Sequence, residues 1–275
     1  MRRRSTLQLR DATVLITGAA GGLGRALAPA LLSRGARLAL LDLDAAVVAD
    51  LAASLGPADR VAGFACDVCS LESVTAATDA AVAHFGSLDV VVAGAGIDLL
   101  RPFASVDPAA VERVVDIDLL GVWRTFRAAA PHLQRGGYLL AVASMASFIH
   151  SPLHSAYVAA KAGVWAMADS IRLELRPSGV RVGTVHPTFF ASPMTEVTLT
   201  GTTAWGGNKG LLWGLVGIDD VVTEMVRAIE KRSNRVTVPR RLAAVALAPG
   251  LARLVVDRIG FRDRDIRAAL HRTSD

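Results

Sequence analysis

Seven short runs rich in Val, Leu and Ala recur along this chain of 275 residues, and longer segments with helical spacing of apolar residues separate them. This alternation is typical of βαβ units, in which parallel strands form a central sheet and helices cover both of its faces. It therefore predicts an α/β fold with one doubly wound, seven-stranded parallel sheet. The predicted strands span 13–18, 37–42, 61–68, 88–96, 137–144, 180–187 and 235–239.

The composition agrees with a core of small aliphatic side chains. Hydrophobic residues make up 52% of the chain and aromatic residues only 5%, as close packing of helices on a parallel sheet requires. No linker or tandem repeat divides the sequence, so a single domain is expected over residues 1–275. No basic stripe with interleaved aromatic residues occurs, so we expect no nucleic-acid partner.

A basic extension is predicted from about residue 241. The formal net charge of the chain is +5, and its arginines concentrate near the two ends. The extension is interpreted either as a solvated tail or as a segment attracted to an acidic membrane surface. Residues 242–256 are apolar but too short to cross a bilayer, and the N-terminus has no apolar run typical of a secretory signal. We expect a cytoplasmic protein without a transmembrane segment, with peripheral membrane contact as the open alternative.

The two cysteines lie in the sequence CDVC, at Cys66 and Cys69. A redox pair is one interpretation of this spacing, and two small buried thiols are the favoured one. A zinc site would need a second pair of ligands that the chain lacks. No metal is expected.

A glycine-rich turn follows the first predicted strand in TVLITGAAGGLGRAL. Gly18, Gly22 and Gly24 lack side chains, so backbone amides and the N-terminus of the next helix can approach the phosphates of a dinucleotide. Asp42 ends the second predicted strand, where a carboxylate can accept hydrogen bonds from an adenosine ribose. A tight turn with a solvated aspartate is the structural alternative.

Three polar residues follow the fifth predicted strand and begin the next helix. Ser144 ends the strand, and Tyr157 and Lys161 are four residues apart in SAYVAAKAGV, so they share one face of a helix. A nearby ammonium group lowers the pKa of a phenol, which makes tyrosine a better acid–base group near neutral pH. The structural alternative is a tyrosine packed on an alanine-rich helix.

The pattern T-G-x-x-x-G-x-G, together with S-x12-Y-x3-K, resembles the short-chain dehydrogenase/reductase family over roughly residues 10 to 240. The resemblance implies a single Rossmann-type domain that binds a nicotinamide cofactor. It also implies NAD(H) in preference to NADP(H), because Asp42 would repel a 2′-phosphate and the positions at which NADP users carry a basic residue are Gly21 and Leu43. The cofactor-binding residues that we predict on these grounds are Gly18, Gly22, Leu23, Gly24, Asp42, Asp67, Val68, Ala93, Gly94, Tyr157, Lys161, Pro187 and Ser192.

The same resemblance implies the catalytic roles. Tyr157 would exchange a proton with the substrate oxygen, Ser144 would hydrogen-bond that oxygen, and Lys161 would tune Tyr157 and hold the nicotinamide ribose. Asp118 occupies the place of the family's active-site asparagine. A carboxylate there opposes ionisation of the phenol, so slower catalysis or a higher pH optimum is expected.

Two further departures from the family pattern are expected to be tolerated. The family sequence N-N-A-G is Ala93-Gly94-Ala95-Gly96 in this chain, and the family's P-G is Pro187-Thr188.

The region from about 188 to 217 mixes Gly, Thr and Trp without a helical or strand period, which favours a lid over the substrate. Trp205 and Trp213 are candidates to close on an apolar ligand. His150 and His154 are expected to line the pocket or its rim, with a structural role as the alternative, and His186 is expected to be structural. The predicted substrate pocket consists of Phe148, His150, His154, Phe189, Phe190 and Met194.

Two functions remain open from the sequence. The first is an NAD(H)-dependent oxidoreductase that acts on a small apolar secondary alcohol or ketone, and the second is a nucleotide-binding regulator or scaffold of the same fold with weakened catalysis. The resemblance also implies a homodimer or homotetramer that packs the helices at roughly 109–134 and 155–178.

Overall fold

A computed structural model of the chain describes residues 6–191, 214–259, 261 and 263–272. Within these residues, strands built from Val, Leu and Ala form one seven-stranded sheet in the order β3-β2-β1-β4-β5-β6-β7, and every strand pairs with its neighbours in parallel. The predicted fold class is therefore confirmed. The strands are β1 Thr13–Thr17, β2 Arg37–Asp42, β3 Val61–Ala65, β4 Leu88–Ala93, β5 Leu133–Val142, β6 Arg181–Pro187 and β7 Arg235–Val238.

Helices connect the strands and continue beyond the last one. A π-helical turn at Asp116–Leu120 joins the fourth helix to the fifth, and short 3-10 turns lie at Ala130–His132, Met145–Ser147 and Arg240–Leu242. The α-helices are α1 Gly22–Leu32, α2 Ala45–Leu55, α3 Leu71–Phe85, α4 Pro108–Val115, α5 Gly121–Ala129, α6 Ser155–Glu174, α7 Ile218–Lys231, α8 Ala243–Leu247, α9 Pro249–Ile259 and α10 Asp263–Arg272.

Alternate residues of the central strands supply two hydrophobic cores, one on each face of the sheet. Val14 and Ile16 of β1 belong to the core under α1, α2 and α7, whereas Leu15 between them belongs to the core under α3, α5 and α6. A strand that is buried on both faces explains the continuous apolar runs in the sequence.

The strand order reverses at β1, which pairs with β2 on one side and with β4 on the other. Thr17 at the end of β1 is in register with both Leu41 and Ala93. The loops that follow β1 and β4 therefore leave the sheet side by side, and a crevice opens between them at the carboxyl edge.

The predicted strand ends differ from the observed ones mainly at this edge. β3 ends at Ala65 rather than residue 68, and β4 ends at Ala93 rather than residue 96. The small residues that follow continue the apolar pattern beyond the last sheet hydrogen bond. β5 begins at Leu133 rather than residue 137, with a register irregularity between Leu88 and Val90 on its neighbour β4.

The two described ends of the predicted lid segment pair with each other. Phe190 forms a β-bridge with Val216, whose N–H donates to the carbonyl of Phe189 at 2.9 Å. The middle of the segment, with Ser192, Met194, Trp205 and Trp213, lies outside the described residues. No helix in the described part of the chain is long and apolar enough to cross a membrane.

Candidate active site

A cavity of about 910 Å³ occupies the crevice at the carboxyl edge of the sheet. The loops that follow β1 to β6 contribute to its wall, so it extends from the glycine turn to the start of α6. Most of the predicted site residues meet here. They are Gly18, Gly22, Leu23, Gly24, Asp42, Asp67, Val68, Gly94, Asp118, Ser144, His154, Tyr157, Lys161, Pro187, Phe189 and Phe190.

Of the predicted site residues that the structure describes, three do not line this cavity. Ala93 is buried at the end of β4, and His150 is half-buried beside the cavity. The ring of Phe148 is buried against Trp165 and His186, with ring centroids 4.8 and 4.5 Å away. The structure therefore places Phe148 in a core cluster with Met145 and Ile149, and the latter two line the cavity.

The glycine turn is packed too tightly to carry side chains at two positions. Gly18 has φ +69°, and a Cβ there would lie 2.7 Å from the Cα of Ala95. A Cβ on Gly24 would lie 2.5 Å from the carbonyl oxygen of Ala19. The absence of both side chains lets α1 start directly behind β1, with its N-terminus at the cavity wall.

The N-terminus of α1 differs from those of the next three helices. Side chains of Asp44, Ser70 and Asp107 accept hydrogen bonds from the first-turn amides of α2, α3 and α4. Gly21 provides no such cap, and the first turn of α1 contains no acidic residue. Because unpaired amides at a helix N-terminus bind anions, this end of the cavity fits a dinucleotide pyrophosphate.

Asp42 ties the glycine turn to β2. Its carboxylate accepts hydrogen bonds from the N–H groups of Ala20 and Leu43, both at 2.8 Å. A carboxylate has about four acceptor sites, so a ribose diol can bind alongside these two amides. Arg25 also lines the cavity, and its Nε donates to the carbonyl of Ala20 at 2.7 Å. The sequence analysis did not consider Arg25.

Both thiols of CDVC are free and line the cavity near Asp67 and Val68. Burial, together with the Asp67 carboxylate, raises the pKa of the Cys66 thiol to about 12. Burial and the Asp116 carboxylate raise the pKa of the Cys69 thiol to about 12 as well. Both groups are therefore protonated near neutral pH, which disfavours redox chemistry of the thiolate kind.

Tyr157 and Lys161 lie one turn apart at the start of α6. Nζ of Lys161 lies 5.5 Å from the centre of the Tyr157 ring, and it donates to the carbonyl of Val142 at 3.2 Å. Ser144 follows the end of β5, within hydrogen-bonding reach of the phenol. The two elements bring the three side chains of the predicted catalytic group together at one end of the cavity.

Asp118 forms a buried ion pair with Lys161. The distance from its Oδ2 to Nζ is 3.0 Å, and the two side chains are 0% and 5% exposed. Its Oδ1 accepts a hydrogen bond from the N–H of Ile97 at 2.8 Å. Asp118 lies on the π-helical turn and is buried. Asp116 on the same turn forms an ion pair with Arg124 of α5 at 2.7 Å. Wide turns of this kind often occur at functional sites.

The charges at this end change the pKa values of all three buried groups. Burial opposes the charge of Lys161, but Asp118, Tyr157 and Asp98 together outweigh burial and raise the pKa of the lysine. Burial also raises the pKa of Asp118. The pKa of the Tyr157 phenol is raised by burial, and the carboxylates of Asp118 and Asp98 add to the rise against the lowering effect of Lys161. The lysine therefore does not bring the phenol below its ordinary pKa.

His186 holds the backbone of the loop that carries Ser144. Its Nδ1 lies 3.0 Å from the carbonyl oxygen of Ser144, and its Nε2 lies 2.8 Å from the hydroxyl of Thr184. Burial lowers the pKa of His186 to about 4, so the ring is neutral at neutral pH. A neutral imidazole that donates from Nδ1 and accepts at Nε2 satisfies both contacts.

A second polar cluster faces the cavity beside Tyr157. Nε2 of His154 lies 2.8 Å from Oδ1 of Asp98, and its Nδ1 lies 3.0 Å from the hydroxyl of Ser151. The imidazole lies 5.3 Å from the Tyr157 ring, tilted by 30°. Asp98 and Ser151 were not among the site residues predicted from the sequence. The signal for Asp98 was its place just beyond β4, where parallel strands direct their loops into a crevice.

The arrangement can bind an extended anionic ligand at one end and move a proton at the other. In the described part of the chain, no group of three His, Cys, Asp or Glu residues is placed to hold a metal ion. The chemistry available from the side chains themselves is acid–base chemistry centred on Tyr157.

Comparison with known proteins identifies the family. The family model described as short chain dehydrogenase matches residues 12–202. The D-threitol dehydrogenase of Mycolicibacterium smegmatis is 38% identical over 207 residues, which cover 74% of this chain and 77% of that protein. The (-)-trans-carveol dehydrogenase of Rhodococcus erythropolis is 40% identical over 201 residues, which cover 66% and 72% of the two chains.

Solved structures show the same fold. A short-chain type dehydrogenase/reductase from Mycobacterium marinum superposes with a TM-score of 0.75 at 23% identity and covers 84% of this chain and 94% of its own. A 3-ketoacyl-(acyl-carrier-protein) reductase from Brucella melitensis, solved in complex with NADH, gives a TM-score of 0.73 at 24% identity, with 84% and 97% covered. The chain therefore belongs to the short-chain dehydrogenase family and is an oxidoreductase that acts on CH–OH or C=O groups.

Proposed function

We propose that the protein is an NAD(H)-dependent oxidoreductase that interconverts an apolar secondary alcohol and its ketone, with Ser144, Tyr157 and Lys161 as the catalytic group. The observation that carries the proposal is the shared cavity: an uncapped helix N-terminus forms one end, and the three side chains meet at the other. Members of this family use nicotinamide cofactors, and the bound nicotinamide would accept or supply the hydride.

Each catalytic residue has a separate task in this proposal. The phenolate form of Tyr157 takes a proton from the substrate hydroxyl during oxidation, and the phenol form gives a proton to the carbonyl oxygen during reduction. The hydroxyl of Ser144 hydrogen-bonds the same substrate oxygen and orients it toward the phenol. Lys161 places a positive charge 5.5 Å from the tyrosine ring, which favours the phenolate form.

The remaining predicted residues would hold the cofactor and exclude water. Gly18, Gly22, Leu23 and Gly24 would surround the pyrophosphate, Asp42 the adenosine ribose, and Lys161 the nicotinamide ribose. The other cavity residues with this role are Asp67, Val68, Gly94 and Pro187. The role predicted for Ala93 has less support, because that residue is buried away from the cavity.

In this proposal Asp118 influences the reaction through the charge of Lys161 and does not contact the substrate. Because its carboxylate lies 3.0 Å from the ammonium, part of the lysine's electrostatic effect on Tyr157 is cancelled. Burial raises the pKa of the phenol, and the Asp118 carboxylate adds to this rise. The base form of Tyr157 therefore gains population as the pH rises, and we expect alcohol oxidation to be fastest at alkaline pH.

The preference for NAD(H) rests on Asp42. Its carboxylate faces the region where a 2′-phosphate would carry like charge. Arg25 would weaken this preference if its positive charge met a 2′-phosphate. Its guanidinium lies close to Asp42, because both side chains bind the backbone of Ala20. Titrating the protein with NADH and NADPH separately would test this preference, and tighter binding of NADPH would refute it.

The substrate end of the cavity supports an apolar substrate. Side chains of Ile97, Met145, Ile149, Phe189 and Phe190 line it, and the polar cluster of Asp98, Ser151 and His154 occupies one side. Of two relatives, one is named for (-)-trans-carveol and the other for D-threitol. Because apolar side chains outnumber polar ones at this end of the cavity, we propose an apolar alcohol or ketone as the substrate.

Two measurements test the proposed function together. Quenching or enhancement of nicotinamide fluorescence on mixing with NADH reports cofactor binding, and absorbance then follows turnover with cyclic ketones, linear ketones, secondary alcohols and polyols. Binding with turnover of an apolar substrate is expected. Tight NADH binding without turnover across the panel would support the alternative function, a nucleotide-binding regulator or scaffold.

The assembly and the location are part of the proposal. The helices predicted to pack between subunits expose Leu120 and Trp123, each 41% exposed, and Leu173, which is 62% exposed. Exposed apolar residues on these helices support a homodimer or homotetramer. Light scattering with size-exclusion chromatography tests the assembly, and Trp123→Gln should weaken it. The two free cysteines agree with a cytoplasmic location.

A further inference from the structure

We propose that the outer side of α8 and α9 docks on an anionic lipid surface. Three leucines define this patch: Leu247 ends α8, and Leu251 and Leu254 lie three residues apart on one face of α9. Their exposed fractions are 80%, 70% and 67%. We call them the leucine patch. Isolated exposed leucines are ordinary, but three within eight residues form a surface that a partner of apolar character would cover.

The opposite side of the same helices is anchored in the protein. Ala246 of α8 and Val256 of α9 are buried in the cluster that also contains Met145, Phe148 and Ile149. The inner sides of α8 and α9 are therefore packed against the protein. The leucine patch is the outer side of helices that are already anchored. These helices also lie beyond residues 12–202, the part of the chain that the family model matches.

The positive charge around the leucine patch indicates which partner fits this surface. Residues 240–272 contain eight arginines and three aspartates, an excess of five positive charges that equals the formal net charge of the whole chain. Arg241 and Arg253 are exposed before and within the patch. An anionic membrane supplies an apolar layer for the leucines and negative headgroups for the arginines. A second copy of the chain would instead bring like charges together.

The position of the patch suggests why docking would be useful, and this step rests on the proposed function. Residues of α8 and α9 pack against the segment 145–149, and three residues of that segment, Met145, Ala146 and Ile149, line the cavity. An apolar alcohol or ketone partitions into lipid, so docking on this side would bring the substrate end of the enzyme close to the phase that contains its substrate.

Co-sedimentation of the full chain with vesicles tests the docking without any need for turnover. The vesicles are phosphatidylcholine alone and phosphatidylcholine mixed with phosphatidylglycerol, each at low and high salt. We expect sedimentation with the mixed vesicles at low salt, a strong decrease at high salt, and little binding to phosphatidylcholine alone.

Variants test whether the side chains of the leucine patch are responsible for binding to the vesicles. The triple variant Leu247→Gln, Leu251→Gln, Leu254→Gln is expected to lower the partition coefficient by at least about tenfold. Phe103→Gln, in the loop between β4 and α4, removes a single apolar side chain of similar exposure, 83%, and is expected to bind like the wild type. Circular dichroism and NADH fluorescence of the same samples verify that each variant is folded.

Several outcomes would overturn the proposal: no sedimentation with the mixed vesicles at low salt, equal binding to neutral vesicles, or a folded triple variant that still binds. A wild-type oligomer that the triple variant dissociates, without vesicle binding, would assign the patch to a second copy instead. Vesicle binding by a protein that turns over no substrate would refute the proposed function and leave the docking intact.

Discussion

The two ends of the cavity are built from different parts of the polypeptide. At the nucleotide end, backbone geometry forms the site: Gly18 and Gly24 exclude side chains, and the amides at the start of α1 have no side-chain cap. At the reaction end, buried charged side chains form it, and Asp118, Lys161 and Tyr157 alter one another's protonation. Conservative changes should therefore have local effects at the nucleotide end and shared effects at the reaction end.

The largest effect is expected for a change at Tyr157, which should lower turnover but leave cofactor binding intact. Tyr157→Phe removes the oxygen proposed to transfer the proton, so turnover should fall by about 100-fold to 10,000-fold. The affinity for NADH, measured by fluorescence titration, should change little because the ring remains. Survival of turnover would show that another group transfers the proton.

Tyr138→Phe is the matched control, because the chain contains only these two tyrosines. The Tyr138 hydroxyl donates to the carbonyl of Ser233 at 2.6 Å, and the residue does not line the cavity. This variant should keep its turnover and lose about 1 kcal/mol of stability.

The second prediction tests whether Asp118 and Lys161 act as one unit. Lys161→Met leaves the Asp118 carboxylate buried without its partner, so the free energy of unfolding should fall by about 3–5 kcal/mol. Adding Asp118→Asn to Lys161→Met should restore much of that loss, because the unpaired charge is then removed. Urea denaturation at neutral pH measures both variants.

Lys231→Met, at an exposed position on α7, is the control for loss of a lysine and should change stability by less than about 0.5 kcal/mol. A loss for Lys161→Met no greater than that of the control would contradict the buried ion pair.

A smaller effect is expected at the nucleotide end. Asp42→Asn removes a charged acceptor at the position proposed for the adenosine ribose, so the affinity for NADH should fall by about tenfold. The ratio of NADH to NADPH affinity should fall as well, because the repulsion of a 2′-phosphate is removed. The turnover number at saturating NADH should stay close to that of the wild type, since the reaction end is unchanged.

Asp44→Asn provides the comparison two residues away. The Asp44 carboxylate caps α2 by accepting from Ala46 and Val47, and it does not line the cavity. Asparagine caps helices about as well as aspartate, so NADH affinity should be unchanged. An equal loss of affinity in both variants would indicate a general electrostatic effect and not ribose binding.

The sheet could be predicted from the sequence because each strand has its own apolar run and this pattern recurs along the chain. Runs such as residues 13–17 and 37–42 are apolar on both faces, and the glycine turn and Asp42 lie at fixed offsets from them. The strand ends were less predictable, because alanines and glycines beyond β4 continue the apolar pattern while they already form the cavity wall.

The reaction end could be predicted only in part. The spacing of Tyr157 and Lys161 on one helix follows from helical geometry. The contact between Asp118 and Lys161 does not, because it depends on a π-helical turn within what the sequence presents as one continuous helix. The cluster of Asp98, Ser151 and His154 likewise joins two loops that are more than 50 residues apart in sequence.

The pH dependence of kcat/KM for alcohol oxidation, measured for the wild type and Asp118→Asn together with NADH affinity, tests the central claim most directly. Burial raises the pKa of Tyr157, and the Asp118 carboxylate adds to the rise and weakens the influence of Lys161. Replacing it with an amide should therefore move the rising limb of the profile to lower pH and increase activity near neutral pH, with unchanged NADH affinity. A profile that stays in place, or a loss of activity at every pH, would contradict the account.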